Sequence, residues 1–401
     1  MKNAIALVAC APLVTWLVTV LAAHPALVSL VPPDDARIGA LVFVALVMWA
    51  AARELLAREP LLPMYRAGLS FGVAVLFASA IGFDPIGGSA AALVFCAIAV
   101  AGNRLARLAR FCGVSDFVTA WLASGAVLCA TALAAMLARR PALLFSFSHG
   151  RAIGIFENPN ELALFTLALI AVALAALIGG REVYARPWIA AVALALAVVT
   201  LVATGSRSGE ASFAFGAVAL AAMLSRRRMP IALVALALIV AVGASLAADR
   251  RHNPAENASR LAAWQAGIRT VALFPLTGVG VGAYVRFYPY VRAPDAPGPQ
   301  NPIAYDPHDF YLAVASEAGL VGLVALGWTI FTFAREARQM LRSAPAPGRR
   351  FMLCVLAGLI AVGIDLLFNA FALAIVLWAF LAAFLVGAAR PLRVPPGSQA
   401  C

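Results

Sequence analysis

One histidine and a few arginines stand where chemistry is possible. His308 lies in Tyr305-Asp306-Pro307-His308-Asp309, where Asp306 reads as a helix N-cap, Pro307 as N1, His308 as N2 and Asp309 as N3. The positive end of a helix dipole disfavours imidazolium at N2, leaving a neutral ring able to take a proton from a hydroxyl. Arg207 sits in the turn Gly205-Ser206-Arg207-Ser208-Gly209 between two apolar runs. A guanidinium there costs on the order of 3 kcal/mol unless it snorkels to head groups or meets an anion. Its planar fork suits phosphate. Arg260 and Arg269 lie on an amphipathic stretch, Asn257 to Phe274, as interfacial anchors or as further anion contacts. His24, His149 and His252 read as solvated loop residues.

The helix starts around these residues carry a common signal. In Phe156-Glu157-Asn158-Pro159-Asn160-Glu161, Asn158 reads as N-cap, Pro159 as N1 and Glu161 as the acid of a capping box. Ser206 or Ser208 can cap the run that follows Arg207. With the His308 helix, that makes three starts whose unpaired N–H groups and positive dipole ends face one way. Helix N-termini flanked by arginines form a ready anion site, and three could converge on one pyrophosphate. Each start alone is an ordinary way to begin a helix.

Composition says which elements must position these residues. The chain has 401 residues, 64% of them hydrophobic and 12% charged. Apolar runs of about 17 to 25 residues recur, the length that crosses a ~30 Å hydrocarbon core as a helix. A soluble enzyme, a disordered chain and a disulfide scaffold are excluded. Hydropathy places spans near 5–23, 38–52, 67–83, 89–102, 117–138, 160–180, 188–204, 209–224, 231–247, 310–334, 351–369 and 371–388. The expected fold is therefore all-α, a polytopic membrane protein with about twelve transmembrane helices. Residues 1–247 hold nine spans, 248–309 form one long outside loop with the amphipathic helix, and 310–401 hold three spans and a tail. The first span is read as a retained helix rather than a cleaved signal, whose apolar core is shorter.

The net charge of +12 comes from arginines and a single lysine, Lys2. They are scattered between spans, which argues against nucleic-acid binding. Nineteen basic residues fall in inside segments and five in short outside loops, so both termini are expected in the cytoplasm. The outside arginines run against that bias, which is why Arg207 stands out. Arg139 and Arg140 read as anchors of a span end.

Other features are weaker. Leu261, Trp264, Ile268 and Val271 form one apolar stripe, expected to lie in the outer interface. Gly319 follows His308 by eleven residues on nearly the same helix face, so Gly319, Gly322 and Gly327 allow close helix approach. Glu317 and Asp365, as intramembrane carboxylates, are functional candidates or hydrogen-bond a neighbouring helix. Gly278-Val279-Gly280-Val281-Gly282 follows no strand and reads as a tight turn, not a nucleotide loop. The proline-rich stretch 294–307 reads as an irregular lid. No cysteine pair falls in an outside loop, so no disulfide is expected. Neighbouring helix positions diverge, which argues against Asp306, His308 and Asp309 sharing a metal.

At these residues the chain resembles the O-antigen ligase family. The resemblance rests on Arg260-(x)3-Trp264, on Pro275-Leu276-Thr277-Gly278-Val279-Gly280, and on His308 with ten residues before Gly319. The Gly-Ser-Arg-Ser-Gly turn and Phe156-x-Asn158-Pro159-Asn160 also match. It spans roughly residues 145–335 and is shared with O-antigen polymerases and protein O-oligosaccharyltransferases. It implies a glycosyltransferase with a GT-C-like fold in the bacterial inner membrane, its active site facing the periplasm. The donor implied is a polysaccharide on undecaprenyl pyrophosphate and the acceptor a sugar hydroxyl of the lipid A core. His308 would be the base, Arg207 and Arg260 would hold pyrophosphate, and Arg151, Asn160 and Arg269 would be lesser contacts. The donor is already activated, so no nucleotide, metal or other cofactor is implied, and a monomer embedded in membrane lipid is expected. The alternatives are a polymerase extending lipid-linked repeats and a transporter for an anionic lipid.

Overall fold

Proline punctuates this chain, and helices begin behind it. In the computed structural model, Pro63, Pro85, Pro159, Pro187 and Pro254 each open a helix, where a missing N–H costs no hydrogen bond. The structure describes residues 35–138, 146–148, 150–156, 158–224, 254–296, 298, 307–370 and 373–389. The helices are α1 (Asp35–Leu56), α2 (Pro63–Ala80), α3 (Pro85–Cys112), α4 (Ser115–Ala138), α5 (Pro159–Gly179), α6 (Pro187–Thr204) and α7 (Arg207–Leu224). After these come α8 (Pro254–Leu273), α9 (Tyr284–Val291), α10 (Phe310–Ser343), α11 (Ala346–Asp365) and α12 (Leu373–Ala388).

Helices stand at ten of the expected span positions, while 5–23 and 231–247 lie outside the described residues. Among the described residues, six helices are long and apolar enough to cross a membrane: α3, α4, α5, α6, α10 and α11. The chain is therefore an α-helical membrane protein. Among the described residues it departs from all-α in one place: β1 (Ser146–Ser148) pairs antiparallel with β2 (Arg151–Gly154) just ahead of α5.

The bundle is organised around α5, which is apolar on every side and mostly buried. It packs against α6 and α11, with α4 and α12 behind. Trp121 of α4 fills the centre, its ring 5.0 Å from Phe380, 5.8 Å from Phe165 and 5.9 Å from Phe384. Small residues set the spacing elsewhere: Gly358 of α11 lies against Ala171 of α5, and Gly216 of α7 against Ala361. At the opposite end from the candidate site, the buried Glu54 is held by Asn103, Arg104 and Arg107.

The amphipathic helix forms as expected, and part of its apolar stripe faces outward. The small residues Ala263, Ala266, Gly267 and Thr270 of α8 are buried. Of the larger apolar stripe, Leu261 and Ile268 face outward, 54% and 61% exposed, while Trp264 and Val271 are half-buried. Bulky apolar groups turned away from protein fit a helix whose outer side meets lipid. The expected lid lies largely outside the described residues.

Candidate functional site

The site is assembled at helix ends. Ser206 settles the ambiguity over the α7 cap: its Oγ accepts from Gly209 N at 3.2 Å, which makes Arg207 the first residue of the helix. The preceding helix stops at Gly205, a left-handed C-cap. The start of α5 agrees with expectation, with Asn158 accepting from Asn160 N and Glu161 N at 2.9 and 3.0 Å.

The start of α10 differs. The N-cap is Asp309, not Asp306, because its Oδ1 accepts from Leu312 N at 2.9 Å and fixes the helix origin at Phe310. Asp306 lies outside the described residues. His308 is consequently not at N2. It precedes the cap with a left-handed backbone, φ 51°. Few non-glycine residues adopt that conformation, histidine more often than most, and it is commonly held at functional sites. Burial pushes the Asp309 carboxyl above its usual range, opposed by the N–H bonds of Leu312 and Tyr311. Side-chain caps at all three starts take up one or two of the first-turn N–H groups of each helix. What these ends offer is dipole and adjacent charge.

A short segment after α11 draws the parts together. Leu366 O accepts from Phe310 N at 2.9 Å, and Gly363 O accepts from Tyr311 Oη at 3.0 Å, which seats the start of α10 and so His308. Phe368 O accepts from Arg260 Nη1 at 3.5 Å. Asn369 Nδ2 donates to Ser208 Oγ at 3.0 Å and to Asp365 Oδ2 at 3.1 Å. Asp365 is fully buried and lies within electrostatic reach of Arg260. The turn of Arg207, the helix of Arg260 and the loop of His308 thus meet on residues 363–369. Helix α8 also crosses directly, Gly267 lying against Leu312 and Pro307.

The lesser candidates make contacts within the scaffold. Arg151 Nε donates to Thr204 O at 2.6 Å, and its Nη2 reaches Asn160 Oδ1 at 3.2 Å and Gly205 O at 3.4 Å. It therefore joins the starts of α5 and α7. Arg269 Nη1 donates to Val291 O at 2.9 Å, where a cation favours the C-terminal carbonyls of α9. Glu317 hydrogen-bonds a neighbouring segment, accepting from Gly282 N and Tyr284 N at 2.9 and 3.4 Å. Among the described residues, no three His, Cys, Asp or Glu side chains come together as a metal site.

An apolar cavity of about 510 Å³ opens beside this assembly. Phe310, Tyr311 and Leu366 line its end at the site, Phe333 and Trp378 its middle, and Arg338 its far end.

Residues 192–327, a third of the chain, match the family model described as O-antigen ligase. That stretch is similar to the O-antigen ligase family. No curated protein matches it. The matched stretch contains Arg207, Arg260, Arg269 and His308, but Arg151, Asn160 and the 363–369 segment lie outside it.

That last segment is what sequence reasoning missed. Asp365 was noticed singly. The available signal was Asn369 four residues on, a second polar group at the end of an apolar span and on the same helical face.

Proposed function

We propose that the chain is an O-antigen ligase, moving a polysaccharide from undecaprenyl pyrophosphate to a sugar hydroxyl of the lipid A core. The observation that supports this is the meeting of the Arg207 turn through Ser208, of Arg260, and of the helix start behind His308 through Phe310 on one segment, 363–369, in a chain that matches the O-antigen ligase model over 192–327. The apolar cavity leading away from Phe310 and Leu366 fits the lipid tail of such a donor.

In this reading His308 takes the proton of the acceptor hydroxyl as its oxygen bonds to the donor's first sugar carbon. The bond from that carbon to the pyrophosphate oxygen breaks, and undecaprenyl pyrophosphate leaves. Arg207 and Arg260 bear on the charge that grows on the leaving group, where fixed cations lower the barrier. A positioned base contributes about 10²- to 10⁴-fold. The same reading carries about twelve spans in a GT-C-like arrangement, cytoplasmic termini and a site facing the periplasm. It takes the chain as a monomer in the inner membrane.

The test is His308→Ala in a host deleted for the gene, with both lipid pools analysed. Ligation predicts lipid A core without O-antigen and long chains retained on the carrier. Single repeats on the carrier would make the chain a polymerase, and donor absent from the outer face would make it a transporter. Unchanged surface polysaccharide would remove His308 from the mechanism.

A further inference from the structure

Helix α10 is broken where it passes the loop 275–282. Gly319 has φ 61° and ψ −157°, which ends the first helical segment after Ala318, about 13 Å from its start. An unbroken helix would pair Leu320 N with Ser316 O and Val321 N with Glu317 O. Instead Ser316 O and Glu317 O accept from Val279 N and Gly280 N at 3.0 and 2.8 Å. Leu320 N and Val321 N donate to Pro275 O and Leu276 O at 2.9 and 3.1 Å. Two helical bonds are exchanged for four bonds to the loop, so the four groups that the break separates all keep partners. The crossing is tight on both sides. A Cβ on Gly319 would run into the backbone of Leu276 and Thr277, and one on Gly278 into Ser316, Glu317 and Ala318.

Glu317 extends this crossing to α9. That helix begins after Ala283, which has no side chain to cap it, and the Glu317 carboxylate accepts from Gly282 N and Tyr284 N in its place. Helix α9 is in turn fastened to α8: Tyr284 Oη donates to Ala263 O at 2.8 Å, Arg269 holds Val291 O, and Phe287 and Tyr288 pack in a small core with Ala266. A closed path therefore runs from the segment behind His308, through Glu317 and α9, to the helix that carries Arg260.

We propose that Glu317, with the Gly278–Gly319 crossing, is a positioning device that sets His308 relative to Arg260. The bonds at the break explain why glycine stands at both positions: two backbones occupy the space of two side chains. In its kinetic arm the proposal rests on the transfer reading above. Glu317 is the residue to vary, because a Cβ at either glycine meets main chain and would compromise folding.

The experiment uses the purified full chain in nanodiscs, with undecaprenyl-pyrophosphate-linked O-polysaccharide as donor and lipid A core as acceptor. Glu317→Gln keeps an oxygen that can accept from both N–H groups and should transfer at near wild-type rate. Glu317→Ala should lose about 10- to 100-fold in kcat, with donor KM within about twofold and the pH profile of kcat/KM unmoved. Hydrogen exchange at Gly282 and Tyr284 should accelerate in the alanine variant and not in the glutamine variant. Wild-type kcat in Glu317→Ala would overturn the proposal, as would a glutamine variant as poor as alanine, which would place the charge in the chemistry. Unchanged exchange at Gly282 and Tyr284 would also overturn it. If the wild-type chain transfers nothing, the transfer reading fails, and the exchange comparison alone decides whether the device exists.

Discussion

Removing the Arg151 guanidinium tests whether the turn of Arg207 is held from outside. Arg151 makes three donor contacts, to Thr204 O, Gly205 O and Asn160 Oδ1, and Thr204 is fully buried. Bonds from a charged donor contribute about 1.5–3 kcal/mol each, and a cation at a helix C-terminus about 0.3–1 kcal/mol more. The full sum is not expected. Arg151 and Gly205 are only half-buried, so water can replace part of what Arg151→Ala deletes. The bond at Thr204 dominates, and a loss of about 2–3 kcal/mol follows. A chain this long shifts by roughly 1–2 °C per kcal/mol, so the apparent melting midpoint should fall by about 2–6 °C. In the proposed reaction, transfer should fall about 10-fold through kcat, because a shifted Arg207 would no longer meet the leaving group. Arg151→Lys should recover only part of either loss, since an ammonium lacks the fork that spans two carbonyls and an amide. The assays are a thermal scan of purified protein and transfer from the lipid-linked donor. An Arg151→Ala variant with an unmoved midpoint and a raised donor KM would refute the reasoning and make Arg151 a substrate contact.

Two further outcomes follow from the same geometry. Asn369→Leu removes the donor shared by Ser208 and the buried Asp365, and should lower kcat by at least 10-fold while leaving protein abundance in membranes within twofold; abundance falling in proportion to activity would count against a role at the site. Asp309→Asn keeps a good N-cap and should melt near wild type, whereas Asp309→Ala should cost about 1 kcal/mol of helix stability, read as a lower midpoint.

The positions of the helices were legible because membrane spans announce themselves through hydropathy, and proline with its preceding cap residue marks where each begins. The caps at Asn158 and in the Arg207 turn followed from local chemistry alone. Asp309 shows where that stops. Two aspartates in a row of four residues can both cap, and the choice depended on Phe310 N reaching Leu366 O, a contact between residues 56 apart in number. The stripe on α8 agrees with an interfacial helix, but which residues of that helix pack on protein is set by tertiary placement. Amphipathicity predicts two faces but not which is buried, and here the small residues pack because α10 crosses closely at Gly267. Arg151 and Arg269 were noticed for their charge. That both serve carbonyls at helix ends is a matter of tertiary placement.

The segment 363–369 has a consequence for how this protein could be divided. A fragment ending in the short connection at Ser343–Pro345 would retain Arg207, Arg260, His308 and all of the ligase-domain match. It would lack the carbonyls and the amide on which those three regions meet. The structural unit that joins these regions is thus larger than the stretch that the family comparison matches. A library shuffled at the edges of that match would separate reactive groups from their common footing, whereas one shuffled at the 343–345 connection would exchange the footing as a single cassette.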